Sequence, residues 1–304
     1  METNICLPDV NSLIKSQVPL AGLTSFRVGG PAEWYIAPQN IEELQTGLEW
    51  AQKRDLPITF LGAGSNLLVS DCGLPGLVIC TRRLRQATFD PDTGQVTAAA
   101  GEPLATLAWK AARLGWKGLE WAVGIPGTVG GAVVMNAGAH GWCTEKILVQ
   151  TKVLNSDQTT AILSPEDLGY QYRTSRLQHD QQLVVQATFQ LQPGANPKDV
   201  IADTSKDLAQ RRATQPYHLP SCGSVFRNPD AHSAGWLIEQ TGLKGRRIGN
   251  AQVAHRHANF ILNCGGATAN DILELIHHVQ HEVESRWSLF LKPEVKFLGE
   301  FQPV

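Results

Sequence analysis

Ile58-Thr-Phe-Leu-Gly-Ala-Gly-Ser-Asn-Leu67 decides how the first half of this chain is read. Ile58 to Leu61 follow Pro57 and spell a short apolar strand, which runs directly into glycines at 62 and 64. Glycine lacks a Cβ, so such a loop admits positive φ and lets backbone N–H groups approach a ligand closely. Successive N–H groups of this kind form an anion cradle that needs no lysine. A Rossmann loop also follows a strand, but the spacing here is G-x-G-x-x-L, and no helical pattern follows. Where a ribose-binding acid would stand, about 20 residues further on, the chain has Arg82 and Arg83. The nicotinamide-type dinucleotide fold is therefore set aside.

Two other segments share the glycine richness: Ser25-Phe-Arg-Val-Gly-Gly-Pro-Ala-Glu33 and Gly124-Ile-Pro-Gly-Thr-Val-Gly-Gly131, the latter continuing to Met135-Asn-Ala-Gly-Ala139. Any one of them reads as a tight turn. Three together suggest one extended ligand with a pyrophosphate in its middle.

Around these loops the pattern is α+β. Ile41, Leu44, Leu48 and Ala51 share a helical face between Asn40 and Lys53, with Asn40 as cap and Glu43 at the capping-box position. Leu77–Cys80 reads as a strand, 86–100 as a hairpin turning at Pro91–Gly94, and Pro103 opens a helix that ends near Gly115. Strands are predicted at Lys146–Val153, Thr159–Leu163 and Leu183–Leu191. Gln192–Pro197 is linker-like and is followed by a helix from about Lys198 to Arg212. The longest helix spans Asn270–Ser288, with Ile272, Ile276, Val279, Val283 and Trp287 on one stripe, before a closing strand at Pro293–Leu298. The division expected is a leader over 1–20, one domain over 21–195 and a second over 196–304.

Composition narrows the function. With 304 residues, 42% hydrophobic and 18% charged, the chain has material for a sizeable core and is not a disordered protein. The 26 basic and 28 acidic side chains leave a net charge of −2, which gives no basis for a nucleic-acid partner. No apolar run approaches membrane-spanning length. The start has no basic region before an apolar run, so a signal peptide is not expected. The six cysteines form no C-x-x-C pair or zinc-like cluster, which fits a reduced, cytoplasmic protein and no metal site. His277 and His281 stand one helical turn apart without an obvious third ligand and read as exposed. The tryptophans, among them Trp116, Trp121 and Trp236, read as packing residues.

Three later motifs carry a specific resemblance: Tyr170-Gln-Tyr-Arg-Thr-Ser175, Pro220-Ser-Cys-Gly-Ser-Val-Phe-Arg-Asn-Pro229 and Lys292-Pro-Glu-Val-Lys-Phe297. Between the last two lie Ala234–Gly245 and His257-Ala-Asn-Phe-Ile-Leu-Asn263. In this order they resemble the UDP-N-acetylenolpyruvoylglucosamine reductases, the flavoenzyme family commonly called MurB. The resemblance runs from about Leu20 to Phe301. It implies an FAD-binding domain of the vanillyl-alcohol-oxidase (PCMH) type followed by a smaller α/β substrate-binding domain. It implies non-covalent FAD held by Gly62, Ala63, Gly64, Ser65, Asn66, Leu67, Ile125, Pro126, Gly127, Val129, Gly130, Gly131, Asn136 and Gly138. NADPH is the implied hydride donor and a UDP-sugar the substrate, with no membrane or nucleic-acid partner and a monomer or weak oligomer as the working form.

By the same resemblance, Ser224 is the proton donor, Arg173 and Glu294 steady the charged intermediate, and Asn228, Lys244 and His257 bind substrate. His257 falls where another form of the family has glutamine, and His140 where members often have tyrosine. The short stretch from Arg173 to Ser224 resembles the shorter form, without the inserted loop that bears a substrate-contacting tyrosine.

The residue types suit the roles. A planar guanidinium matches a carboxylate and its developing charge. A hydroxyl can deliver a proton to one face of a carbanion-like centre. A buried carboxylic acid can stay protonated and hydrogen-bond an enolate. Cys222 invites a thiol mechanism, but no base is placed for it in sequence. A flavin oxidase on the same scaffold is the alternative. Such oxidases often tether FAD to histidine, and none lies within the three glycine segments, His140 standing just past the third.

Overall fold

The computed structural model describes residues 13–180 and 182–302. Most of the leader, 1–12, with Cys6, lies outside the described residues. The remainder of it is an edge strand, Lys15–Pro19, paired antiparallel with Pro31–Ile36.

Pro31–Ile36, Leu74–Cys80 and Ile58–Leu61 continue that sheet with parallel pairings. The Ile41–Gln52 helix makes the crossover from Pro31–Ile36 to Ile58–Leu61, the two strands that flank Leu74–Cys80. It begins where expected because the Asn40 side chain accepts the Glu43 N–H at 2.8 Å. Leu44, Leu48 and Ala51 are buried with Ile36, Leu77 and Ile79.

A second, antiparallel sheet runs in the order Thr160–Leu163, Leu148–Leu154, Leu183–Gln190, Gln95–Ala99, Ala87–Asp90. The alternation Val96, Ala98 against Ala187, Phe189 fills one face, and the Leu104–Arg113 helix seals it with Leu104, Leu107, Ala108 and Ala111. The helix that follows the linker, Pro197–Thr214, packs on Leu104–Arg113 and on Glu120–Ala122.

The remaining chain builds a third core. Ala251–Val253 lies between Arg247–Ile248 and Ile261–Asn263, backed by helices Ala234–Gln240 and Ala269–Trp287. The long helix carries its predicted stripe inward: Ile272, Ile276, Val279 and Val283 are all buried. Thr268 and Asp271 form a full capping box at its start, while His277 and His281 lie on the exposed face. Among the described residues no helix is long and apolar enough to cross a membrane.

Two features depart from the sequence reading. A short helix, Val129–Met135, follows the third glycine segment although Val-Gly-Gly is poor helix material. Tertiary packing makes it: Val129 and Val133 are buried, and the Gly130 N–H donates to the Ala100 carbonyl at 2.9 Å. Further, the strand after the first glycine loop, Leu67–Val69, pairs in parallel with Lys296–Leu298. The last described strand thereby returns to the Gly62–Leu67 loop.

Candidate active site

The Gly62–Leu67 and Gly124–Gly131 loops face one another. The Ser65 hydroxyl donates to the Pro126 carbonyl at 2.5 Å. A Cβ on Gly62 would stand 2.9 Å from the Thr128 hydroxyl oxygen. Gly64 adopts φ +64° and passes so close to the Leu23 carbonyl oxygen that a Cβ would lie 2.2 Å from it. Arg82 sets the loop's polarity: its guanidinium donates to the carbonyls of Gly62, at 3.0 Å, and of Leu23, at 2.6 Å, and also to that of Ala63. With carbonyls drawn to one side, the N–H groups turn to the other. Among the described residues none accepts a hydrogen bond from the backbone N–H of Ala63, Gly64, Ser65 or Asn66. That is the donor array an anionic pyrophosphate requires.

Ile125 and Pro126 also border an open, shallow surface depression with Val123, Leu208, Arg212 and Tyr217. With that donor array the residues present fit FAD. The Ser25–Glu33 segment plays a different part from the other two: a Cβ on Gly30 would stand 2.2 Å from the Asp71 carbonyl oxygen, so its glycines permit close backbone packing.

Asn136, at the end of the Val129–Met135 helix, takes a left-handed conformation and is buried. Its amide is wholly engaged, donating to Glu145 at 3.2 Å and to the Gln171 carbonyl at 3.1 Å while accepting the Glu145 N–H at 3.1 Å. Through the Gln171 contact it supports the turn that presents Arg173. Gly138 offers its carbonyl to the Arg173 guanidinium at 2.7 Å.

Arg173 and Glu294 meet. The Arg173 Nε stands 3.2 Å from Glu294 Oε1, with both side chains largely shielded from solvent. Burial pushes the Glu294 carboxyl above its ordinary range, against the opposing pull of Arg173 and Arg227. Arg173 itself sits at φ +58° inside a turn closed by reciprocal hydrogen bonds between Gln171 and Thr174, each 3.0 Å. A non-glycine residue there is strained and is held by its surroundings.

Ser224 lies on the segment that the Glu294 backbone bonds. It follows Gly223, at φ +83°, and precedes Val225, whose carbonyl accepts the Glu294 N–H at 2.7 Å. Asn259 clamps this loop, with its side chain bonding both the N–H and the carbonyl of Phe226 at 2.9 and 2.8 Å. The Asn66 amide, from the cofactor loop, donates to the Glu294 carbonyl at 3.0 Å. The Gly62–Leu67 loop, the Ser224 loop and the Glu294 segment are thus one connected structure.

The remaining candidates lie on the C-terminal part. Asn228 is exposed at the end of the Ser224 loop, its carbonyl oxygen accepting the Ala234 N–H at 3.0 Å. Lys244 pairs with Glu239 at 2.6 Å. His257 is pulled below its usual value by burial and by the Lys244 charge, and its buried Nδ1 has no partner. Cys222 is buried, and desolvation reinforced by Glu294 holds its thiol strongly protonated, so it is no nucleophile. Among the described residues no His, Cys, Asp or Glu cluster suited to a metal is present.

Arg82, Arg227, Asn66 as a tether and Asn259 as a clamp were not assigned these parts from sequence. Only Arg82 gave a signal there, as a basic residue where a Rossmann loop would place an acid.

The chain matches two family models: an FAD binding domain over residues 32–164 and the UDP-N-acetylenolpyruvoylglucosamine reductase C-terminal domain over residues 215–298. It is 64% identical to the UDP-N-acetylenolpyruvoylglucosamine reductase of Nostoc sp., over 98% of this chain and 90% of that one. It is 60% identical to the reductase of Acaryochloris marina, over 99% of this chain and 98% of that one. The crystal structure of UDP-N-acetylenolpyruvylglucosamine reductase from Thermus caldophilus superposes with a TM-score of 0.81 at 36% identity, covering 94% of this chain and 99% of that one. Paired glycine loops, an FAD-binding fold and whole-length likeness agree, and the chain belongs to the UDP-N-acetylenolpyruvoylglucosamine reductase family.

Proposed function

We infer that this chain reduces UDP-N-acetylglucosamine enolpyruvate to UDP-N-acetylmuramate with FAD and NADPH, a step of peptidoglycan precursor synthesis. The Gly62–Leu67 and Gly124–Gly131 loops would hold FAD, and the cofactor would supply hydride chemistry between NADPH and the terminal vinyl carbon of the substrate.

The site roles are our proposal, and the observation that carries them is the convergence of Arg173, Ser224 and Glu294 beside the cofactor loops. Arg173 holds the substrate carboxylate and spreads the negative charge that develops next to it. Glu294, whose carboxyl burial pushes upward, donates a hydrogen bond to the same developing charge when it carries its proton. Ser224 delivers its hydroxyl proton to the carbon beside the carboxylate, from one face only. Asn228, Lys244 and His257 orient the nucleotide sugar. Ala63 to Asn66 offer their N–H groups to the cofactor pyrophosphate.

We propose residues 21–195 as the cofactor-binding part and 196–304 as the substrate-binding part. The Pro197–Thr214 helix is then the arm that lays the second against the first. Catalytic groups from both parts meet within a single chain, so a monomer or weak oligomer suffices. The five described cysteines are all free, which supports a cytoplasmic setting.

An anaerobic absorbance trace tests the activity. NADPH should bleach the oxidised flavin, and the enolpyruvyl substrate should restore it without air. Recovery only on admitting oxygen would instead support the oxidase reading.

A further inference from the structure

Arg227 has no part in the reaction as written above, yet it stands at the junction of every catalytic segment. It lies on the Ser224 loop, where its N–H donates to the Lys292 carbonyl at 2.9 Å beside the Glu294 segment. Its guanidinium crosses to the other part of the molecule. Nη1 donates to the Thr174 hydroxyl at 2.9 Å and Nη2 to the Arg173 carbonyl at 3.3 Å. That carbonyl belongs to the residue strained at φ +58°, and Gln178 also donates to it at 3.0 Å. The Arg227 Nε is buried without a partner. Burying an uncompensated donor is costly, so packing alone does not explain this side chain.

We infer that Arg227 is a positioning residue for the catalytic pair: it fixes the turn that presents Arg173, while its own segment is tied to that of Glu294 through the Lys292 carbonyl. This rests on the roles proposed above for Arg173, Ser224 and Glu294.

The two functions of Arg227 separate by chemistry. Its fork holds the turn geometrically, since a guanidinium can bond a hydroxyl and a carbonyl at once and an ammonium cannot match that geometry. Its charge acts on Glu294 at longer range. Among the described residues the charged or titratable groups that act on Glu294 or feel its charge are Arg173, Arg227 and the Cys222 thiol, and Lys296 feels the Arg227 charge. Arg173 and Arg227 both draw the Glu294 carboxyl downward, against burial. Removing the Arg227 charge should therefore raise it further and leave Glu294 protonated to higher pH.

The test uses holoenzyme reduced by NADPH and mixed rapidly with enolpyruvyl substrate across a pH series, in Arg227→Gln, Arg227→Lys and Thr174→Val. Flavin absorbance and thermal melts establish that each variant is folded and loaded. Arg227→Gln should slow reoxidation by roughly 10- to 100-fold, as a misplaced catalytic group does. It should also move the alkaline limb upward. Arg227→Lys should keep the limb near its wild-type position while still losing rate, because charge remains and the fork does not. Thr174→Val should lose rate with the limb unmoved. If Arg227→Gln does not fold, Arg227→Lys and Thr174→Val still decide the matter. Wild-type rate in both would overturn the inference, as would an equal limb shift in Arg227→Gln and Arg227→Lys. Ser224→Ala and Glu294→Gln serve as the reference. If those two reoxidise normally, the site assignment itself fails. If they are slow and the Arg227 and Thr174 variants are not, only the role of Arg227 fails.

Discussion

Replacing Gly64 with alanine probes the cofactor loop at its tightest point. The residue holds φ +64°, and a Cβ would stand 2.2 Å from the Leu23 carbonyl oxygen. That oxygen is backbone and accepts from Arg82 at 2.6 Å, so it has no free direction of retreat. The left-handed conformation costs a side-chain-bearing residue roughly 1–2 kcal/mol, and forced overlap adds about 1–3 kcal/mol. The sum is about 2–5 kcal/mol, or roughly 30-fold to several thousandfold in an equilibrium constant. The loss divides between folding and FAD binding, because a displaced loop relieves the overlap by misplacing its N–H donors. Both are therefore read: flavin fluorescence titration of the apoprotein gives affinity, and thermal unfolding with and without FAD gives stability. Gly141→Ala is the matched control, since Gly141 holds φ +78° with nothing within 4 Å of a Cβ. It should show only the conformational cost, about 1–2 kcal/mol. If Gly64→Ala and Gly141→Ala were indistinguishable in both assays, the close approach that shapes this loop would be refuted.

Two further predictions concern titrating groups in the site. Glu294 is pushed up from 4.5 by burial, so its proton is held more tightly in the folded state than in the unfolded one. Its contribution to stability is then complete below 4.5 and is lost as pH rises through the raised value. Wild-type holoprotein should lose melting temperature over that window relative to Glu294→Gln. Parallel pH dependence in the two would contradict the direction of the shift. Cys222→Ala should retain both half-reactions, and thiol reagents should not inactivate the native enzyme at neutral pH. Rapid loss of activity on alkylation of Cys222 would contradict the protonated, buried thiol.

Local signals in the chain were read well because they arise from neighbouring residues. Asn40 and Glu43 mark the start of the Ile41–Gln52 helix by capping chemistry, and that helix begins at Ile41. The 86–100 hairpin follows from its turn residues, and its strands are Ala87–Asp90 and Gln95–Ala99. The Val129–Met135 helix was missed because its stability comes from burial on Ala100 and the sheet, which no local propensity reports. The motifs that identified Arg173, Ser224 and Glu294 say nothing about how they meet. Their meeting depends on Lys296–Leu298 pairing with Leu67–Val69, a contact between opposite ends of the chain. The contacts of Arg82 and Arg227 were illegible for the same reason, although Arg82 stood out as a basic residue: each acts on carbonyls brought near only by folding. Nor does anything in Tyr-Gln-Tyr-Arg-Thr-Ser show that Arg173 would occupy a left-handed position usually taken by glycine.

The central claim is that Ser224 supplies the proton after hydride transfer to the substrate. Ser224→Ala, followed by rapid anaerobic mixing, tests it directly because the two half-reactions are observed separately. FAD binding and bleaching by NADPH should match wild type. Reoxidation by the enolpyruvyl substrate should slow by on the order of 10²–10⁴-fold, the usual contribution of a positioned acid. Reoxidation at the wild-type rate would contradict the account, and Ser224 would then be a turn residue with no part in the chemistry.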